Sequence, residues 1–378
     1  MNKLMPVFIF GLVASYISDK NSKVSINRYG DREYKRKEKL FFILLTIALA
    51  VFVGLRTAYN DTETYRHMYE SLSPGLGNIL SLDFGLAKNP GFWVINIILK
   101  TIGVSTQNYL MFYAIITVCI YLWFIRKYSD DIWLSVFLFF TMGCYTFTMA
   151  AIKQCVAVAF CLVAVDRIMQ DKKISFIFWI LVASTFHPYS LMYLVVPFLT
   201  FNPWSGKTYI LLILFAILGF GLQPLLGTVV DITTMLGAEY DSSTFVGEGI
   251  NIFRLLVIWV PVVLSFLTKR YQQDNNTKTD NIMLNLTMLN AEIMFIGLFG
   301  TANYFGRLAN YFLIFQVLCL PHLFRAFTKD SQKIMKILCI IGFLAYFYYA
   351  NVINQNFDSS FSYIPFIEYL KSIISFFI

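Results

Sequence analysis

Apolar residues recur in continuous runs of about 15–25 positions, separated by short polar stretches, along most of the 378-residue chain. At ~1.5 Å per residue, such runs match the ~30 Å hydrocarbon core of a bilayer. They are continuous rather than alternating, which excludes a membrane β-barrel. The runs fall at 4–17, 39–56, 108–125, 131–148, 150–166, 174–198, 207–222, 224–236, 251–268, 281–300, 303–320, 334–352 and 364–378. The stretch 91–102 is apolar but short, and reads as a half-helix, an interfacial helix or a further span. Gly221 and Pro224 split the pair 207–222 and 224–236, giving two tilted spans or one re-entrant hairpin. The pattern predicts an all-α fold, a single polytopic membrane domain over 1–378 with 12–14 transmembrane helices.

Composition sharpens this picture. The chain is 58% hydrophobic and 14% charged, against ~45–50% and ~25% in soluble domains. A soluble enzyme, a disordered chain and a disulfide scaffold are excluded. Cys119, Cys144, Cys155, Cys161, Cys319 and Cys339 all fall inside apolar runs without CxxC spacing, so buried, inert thiols are expected. The run 4–17 has the length of a signal-peptide core, but no small-x-small site follows it. It reads as a retained first helix.

The net charge of +8 would suit nucleic acid. Its placement argues for the lipid bilayer instead, with no nucleic-acid partner. The stretch 19–39 and the turns at 126–127, 167–173, 269–278 and 325–336 hold 20 of the 30 Lys and Arg residues. Cytoplasmic placement of all five threads alternate spans consistently with the N-terminus outside, provided 91–102 does not cross fully. The loops 57–90, 199–206, 237–250 and 353–363 then face out, the first and third being the candidate functional loops. No segment between spans exceeds about 35 residues, short of the ~40 a lone domain needs.

Charged residues inside or at the edge of a span are costly, and so mark function by default. Five positions stand out: Arg56 closing the second span, Lys153 opening the span at 150, His187 before Pro188, and Arg254 and Arg307 opening later spans. Arg56 lies 17 residues after Lys39, about 26 Å along a helix. His187 lies 13 residues after Ile174, about 20 Å. Lys153, Arg254 and Arg307 each stand within a turn or so of an outward start. All five are expected in the outer third of the bilayer, where four cations and an imidazole suit an anionic ligand and a proton acceptor. The bland alternatives are arginines snorkelling to lipid phosphates and a hydrogen-bonded core histidine. His67 reads as a surface residue and His322 as a cytoplasmic-edge residue, and the three histidines offer no metal-ligand spacing. Glu292, near Asn290, is either a proton-coupled group or the partner of an arginine across the bundle. Asp61 and Glu63 are a base, acceptor-binding groups or merely solvated. Tyr59, Tyr65, Trp93, Tyr189 and Tyr304 are outward aromatics able to stack on sugar rings.

Three motifs in order carry a resemblance. Gly54-Leu55-Arg56 is followed by Asn60-Asp61-Thr62 and Tyr65. Lys153-Gln154 precedes a small-residue run, a basic turn and Ala183-Ser184-Thr185-Phe186-His187-Pro188-Tyr189-Ser190. Gly306-Arg307-Leu308-Ala309-Asn310-Tyr311-Phe312 closes the set. Together they resemble the EpsG family of Wzy-like polysaccharide polymerases over most of the chain. Lys153 stands where the family usually has Arg, keeping charge but losing the bidentate fork. Asn60 takes the place of a usual Gly.

The resemblance implies a membrane fold similar to that of O-antigen ligases and related lipid-donor glycosyltransferases. It implies polymerisation of oligosaccharide repeat units carried on undecaprenyl pyrophosphate, as donor and acceptor, at the outer face of the bacterial plasma membrane. The product is capsule, exopolysaccharide or O-antigen. No metal, cofactor or nucleotide sugar is implied, and chain-length regulator and flippase proteins are the expected partners. In that chemistry fixed cations stabilise the leaving pyrophosphate, a role that suits Arg56, Lys153, Arg254 and Arg307. A base deprotonates the acceptor hydroxyl, which suits His187, with Asp61 or Glu63 second, and direct displacement inverts the anomeric centre. Tyr65, Gln154, Tyr189 and Tyr304 are the candidate glycan contacts. A lipid-linked glycan flippase, a membrane glycan acyltransferase and a glycan ligase remain alternatives.

Overall fold

The computed structural model describes residues 2–26, 32–36, 38–82, 89–222, 228, 231 and 247–377. Most of the expected span 224–236 and of the loop 237–250 lies outside these residues, as do Arg28 and Lys37 of the first basic stretch and residues 83–88 of the first outward loop.

The chain is an all-α polytopic membrane protein. Its helices are α1 (Met5–Asp19), α2 (Leu40–Gly54), α3 (Thr62–Glu70), α4 (Gly77–Leu80), α5 (Pro90–Thr101), α6 (Thr106–Tyr128), α7 (Ile132–Thr141), α8 (Cys144–Ala150), α9 (Ile152–Met169) and α10 (Lys173–Phe186). There follow α11 (Gly206–Phe220), α12 (Ile252–Leu267), α13 (Lys269–Asn275), α14 (Lys278–Ile296), α15 (Ala302–Asn310), α16 (Leu313–Leu323), α17 (Lys329–Tyr348), α18 (Phe357–Ser360) and α19 (Phe366–Phe377). Short strands β1 (Ser22–Ile26) and β2 (Arg32–Arg36) pair with each other, as do β3 (Arg56–Ala58) and β4 (Ser362–Tyr363).

Helix length departs from the sequence pattern. Among the described residues two helices, Thr106–Tyr128 and Lys329–Asn354, are long and apolar enough to cross a membrane, or up to five if each bent pair is one span. Local chemistry accounts for the breaks. The predicted span 131–148 bends by 49° between α7 and α8, where Gly143 takes φ +82°, a conformation open to glycine. The predicted span 174–198 is not one α-helix. Pro188 has no N–H to donate and disfavours helix at the residue before it. His187 is accordingly extended, at φ −158° and ψ 117°, and the chain continues as a 3-10 helix over Pro188–Phe198. The ambiguous stretch 91–102 is α5, of 12 residues, about 18 Å long and too short to cross.

Contacts divide the chain into two compact units, Met1–Ser25 with Tyr34–Leu194 and Gly342–Ile378, and Ile26–Glu33 with Val195–Ile341. In the first, α9 packs along α10 and α6, while α2 packs on α6 and α1. Lipid supplies no hydrophobic drive between helices, so small residues that permit close approach matter most. The buried face of α9 supplies Cys155, Ala157, Ala159, Cys161 and Ala164. Aromatic rings fill the wider gaps: Phe140 lies 5.1 Å from Phe8 and 4.5 Å from Tyr145. In the second unit α14 is the central helix, buried over almost all its surface and touched by α11, α12, α15 and α16. It starts at a capping box of Thr277 and Asp280, which satisfies the helix's first free N–H groups.

Candidate active site

In the first unit the site is built from the corner after α2. Gly54 lies against α6 so closely that a Cβ on it would stand 2.3 Å from Met111 Sδ. The chain then enters β3, where Arg56 faces Tyr363 and Ala58 faces Ser362 of the antiparallel β4. Gln107 of α6 holds this corner, its Nε2 donating to Gly54 O at 2.6 Å and Arg56 O at 3.2 Å.

The pairing turns Arg56 inward, to 1% exposure. Its Nη1 donates to Val53 O at 2.6 Å and its Nε to Thr62 Oγ1 at 3.1 Å. Thr62 Oγ1 donates in turn to Tyr59 O at 2.7 Å. Tyr65, Tyr109, Tyr145 and Cys155 lie near enough to act on the guanidinium electrostatically. No carboxylate among the described residues pairs with it. A buried cation without a counter-charge is costly, and here only neutral acceptors meet the guanidinium.

Asn60 adopts φ +44°, a left-handed conformation that glycine enters freely and asparagine tolerates. The turn starts α3 at Asp61. Asp61 and Tyr65 lie four residues apart, on one helical face, and both are half-buried. Glu63 is exposed, and at ~100° per residue it projects away from the Tyr65 face. Next to the turn, burial raises the Tyr59 phenol to about 12, against hydrogen bonds from Thr146 and Asn60 that lower it. It therefore stays a neutral donor, reaching Gln355 Oε1 at 3.4 Å.

Lys153 stands on the first turn of α9, half-buried. Its Nζ lies 4.9 Å from the Phe92 ring centre, 5.7 Å from Trp93 and 5.9 Å from Tyr65. Three rings thus box one ammonium, a geometry worth about 0.5–2 kcal/mol per favourable contact. Among the described residues no carboxylate pairs with Lys153, and the positive end of α9 adds to its field. Gln154 beside it is buried.

The boxing rings Phe92 and Trp93 belong to α5, and Gly91 one residue earlier meets α10. A Cβ on Gly91 would stand 2.1 Å from Thr185 Oγ1. His187 follows two residues later, half-buried, with its ring 5.3 Å from Tyr189. The first unit therefore brings Arg56 and Lys153 to the two sides of Tyr65, with Asp61 on the Tyr65 face, Gln154 next to Lys153, and His187 and Tyr189 just beyond the contact of α5 with α10.

Arg254, Tyr304 and Arg307 belong to the second unit. Asn251 caps α12, accepting from Phe253 N at 2.9 Å, and Arg254 follows in the first turn. Arg254 Nη2 donates to Asn310 Oδ1 at 3.1 Å. Its Nη1 lies against Gly306, where a Cβ would stand 3.2 Å away. No described carboxylate pairs with Arg254. Arg307 is exposed and Tyr304 half-buried on the same short helix α15. Asn290 pins this helix to α14 through a bond from its Nδ2 to Ala309 O at 2.5 Å. Glu292 pairs with no arginine among the described residues. His67 is exposed. His322 is buried, with Nε2 3.2 Å from Asn276 Oδ1 and Nδ1 3.8 Å from Asp280. The described residues contain no group of three His, Cys, Asp or Glu able to hold a metal.

A family model described as the EpsG family matches residues 39–369. The chain belongs to the EpsG family. This family is one of Wzy-like polysaccharide polymerases. No curated protein and no solved structure matches the chain. The EpsG match spans every candidate site residue, from Arg56 to Arg307. Reading the sequence gave no site role to Thr62, Phe92, Gln107 and Asn310, which touch Arg56, Lys153 and Arg254. Phe92 and Trp93 carried one signal, two adjacent rings opening a short apolar stretch.

Proposed function

We propose that this protein polymerises lipid-linked oligosaccharide repeat units into a surface polysaccharide by glycosyl transfer at the outer face of the plasma membrane. The observation that carries the reading is the pair Arg56 and Lys153, two cations of one unit with no carboxylate partner among the described residues, beside the histidine-bearing end of α10. A polyprenyl pyrophosphate, the undecaprenyl carrier in bacteria, supplies the missing anion.

In this reading a hydroxyl of the acceptor unit attacks the anomeric carbon of the donor glycan. The carbon–oxygen bond to pyrophosphate breaks, and the lipid pyrophosphate leaves with the electron pair. Its growing charge meets Arg56 and Lys153, whose fixed positions need no reorganisation. Arg254 and Arg307 hold a lipid pyrophosphate on the second unit. His187 accepts the hydroxyl proton, a step worth about 10²–10⁴ in rate, with Asp61 the next candidate because it shares the Tyr65 face. A single displacement inverts the anomeric centre. Tyr65, Gln154, Tyr189 and Tyr304 contact the glycan.

Purified protein in liposomes with lipid-linked repeat units tests the proposal. A ladder of polymer supports it. Relocation of the lipid without bond formation makes the protein a flippase, and a requirement for an acyl donor makes it an acyltransferase. A folded His187→Gln variant that polymerises at the parental rate removes His187 as base.

A further inference from the structure

Within the second unit, α11 and α12 both pack on α14, and a cavity of about 470 Å³ lies among the three. That volume falls in the ~300–1,000 Å³ range of small-molecule sites. Leu212 and Phe215 of α11, Trp259 and Val263 of α12 and Phe295 of α14 help form its walls. Every lining side chain is apolar or aromatic except Glu292 of α14. The flanking helices expose Ile210, Ile213 and Ile217 on one side and Val260, Val263 and Leu267 on the other. In a membrane protein such faces meet hydrocarbon, so what enters the cavity is lipid-borne.

Two polar groups are left over there. Glu292 is 3% exposed, and its carboxyl makes no hydrogen bond or ion pair with any described residue. The Trp259 indole N–H is buried without a partner. The neighbouring indole of Trp204 shows the contrast, since its Nε1 donates to Ser265 Oγ at 3.0 Å. A lone carboxylate in hydrocarbon is costly, whereas a protonated carboxyl is one donor and one acceptor. An unpaired acid on the wall of an apolar cavity matches a hydroxyl, which can exchange hydrogen bonds with it. Plain hydrocarbon would leave the acid unpaired.

We propose that this cavity is a binding site for a long-chain lipid alcohol, with its chain against the aromatic walls and its hydroxyl at Glu292. The site uses none of the groups assigned to glycosyl transfer, and stands or falls independently of that reading.

Photo-labelling of the full-length protein in detergent tests it, with a diazirine analogue of farnesol and an alkane diazirine of equal length lacking the hydroxyl. The alcohol probe is expected to label residues 212–216 and 259–266, and unlabelled farnesol to compete. Glu292→Gln keeps a donor and an acceptor and retains labelling. Glu292→Leu lowers it by about tenfold, the size of one well-made hydrogen bond, and Ala216→Trp lowers it by filling the cavity. The alkane probe is indifferent to the Glu292 variants. Equal labelling by the two probes, or alcohol labelling unchanged in Glu292→Leu, overturns the proposal. Size-exclusion profiles identify any variant that misfolds, and the Glu292→Gln and Glu292→Leu comparison decides without Ala216→Trp.

Discussion

Gly91 and Thr185 touch so closely that no side chain fits between them: a Cβ on Gly91 would stand 2.1 Å from Thr185 Oγ1 and 2.7 Å from its Cβ. This contact joins the helix whose rings box Lys153 to the helix that ends at His187. Gly91→Ala is therefore expected to cut polymer formation sharply in a liposome assay, and Gly91→Val to abolish it. Because α10 is fixed elsewhere by α9, both variants should still elute as folded protein. Full activity in Gly91→Val would show that the spacing of the two helices does not matter to the reaction.

Thr62 is the side chain that receives Arg56 Nε, at 3.1 Å. Thr62→Val keeps the shape and removes the acceptor, leaving a buried charged donor unpaired at a cost of about 1–3 kcal/mol. The expected result is a lower thermal midpoint in detergent, recovered by Thr62→Ser. An unchanged midpoint would mean that Val53 O alone satisfies the guanidinium.

Lys153 gives a cleaner separation of charge from fold. Lys153→Met keeps a long apolar stem within the Phe92, Trp93 and Tyr65 box but removes the cation. Affinity for a soluble short-chain isoprenyl pyrophosphate, read by calorimetry, is expected to fall about tenfold, as for loss of one charge-assisted contact. Lys153→Arg should keep most of it, since an arginine stacks on rings as well. Equal binding by wild type and Lys153→Met would detach Lys153 from the pyrophosphate.

These residues also show what the sequence made legible. Run length alone gave the membrane class and placed most helices within a few residues, because hydrocarbon thickness dictates it. Asn60 was legible as standing in the place of a usual glycine, but its left-handed conformation was not predicted. The breaks within the spans at 131–148 and 174–198 were harder to see, since hydropathy is blind to backbone conformation and Pro188 marks only one of them. The aromatic box around Lys153 was invisible for a different reason. Its rings come from α3 and α5, at Tyr65, Phe92 and Trp93, and only tertiary packing brings them to the start of α9. Arg56 was legible as a costly cation, while Thr62 stood only as part of a motif, with nothing to mark it as the acceptor of Arg56.

Asp166 offers a test away from the candidate site. It is 1% exposed near the C-terminal end of α9 and bonds Lys127, accepts from Tyr128 Oη at 2.6 Å and from Gln170 Nε2 at 2.8 Å, and lies 3.8 Å from Arg167 Nε. Two helix ends are therefore tied through one carboxylate. Removing one member of such a buried set costs about 3–5 kcal/mol, because the remaining groups stay desolvated. Lys127 is 37% exposed, so water recovers part of its loss, and the low end of that range applies. Asp166→Ala is expected to lower the thermal midpoint clearly, and Asp166→Asn, which still accepts from Tyr128, to lower it less. Neither should change the affinity for isoprenyl pyrophosphate in protein that remains folded. A loss of that affinity with an unchanged midpoint would give the carboxylate a functional role instead of a structural one.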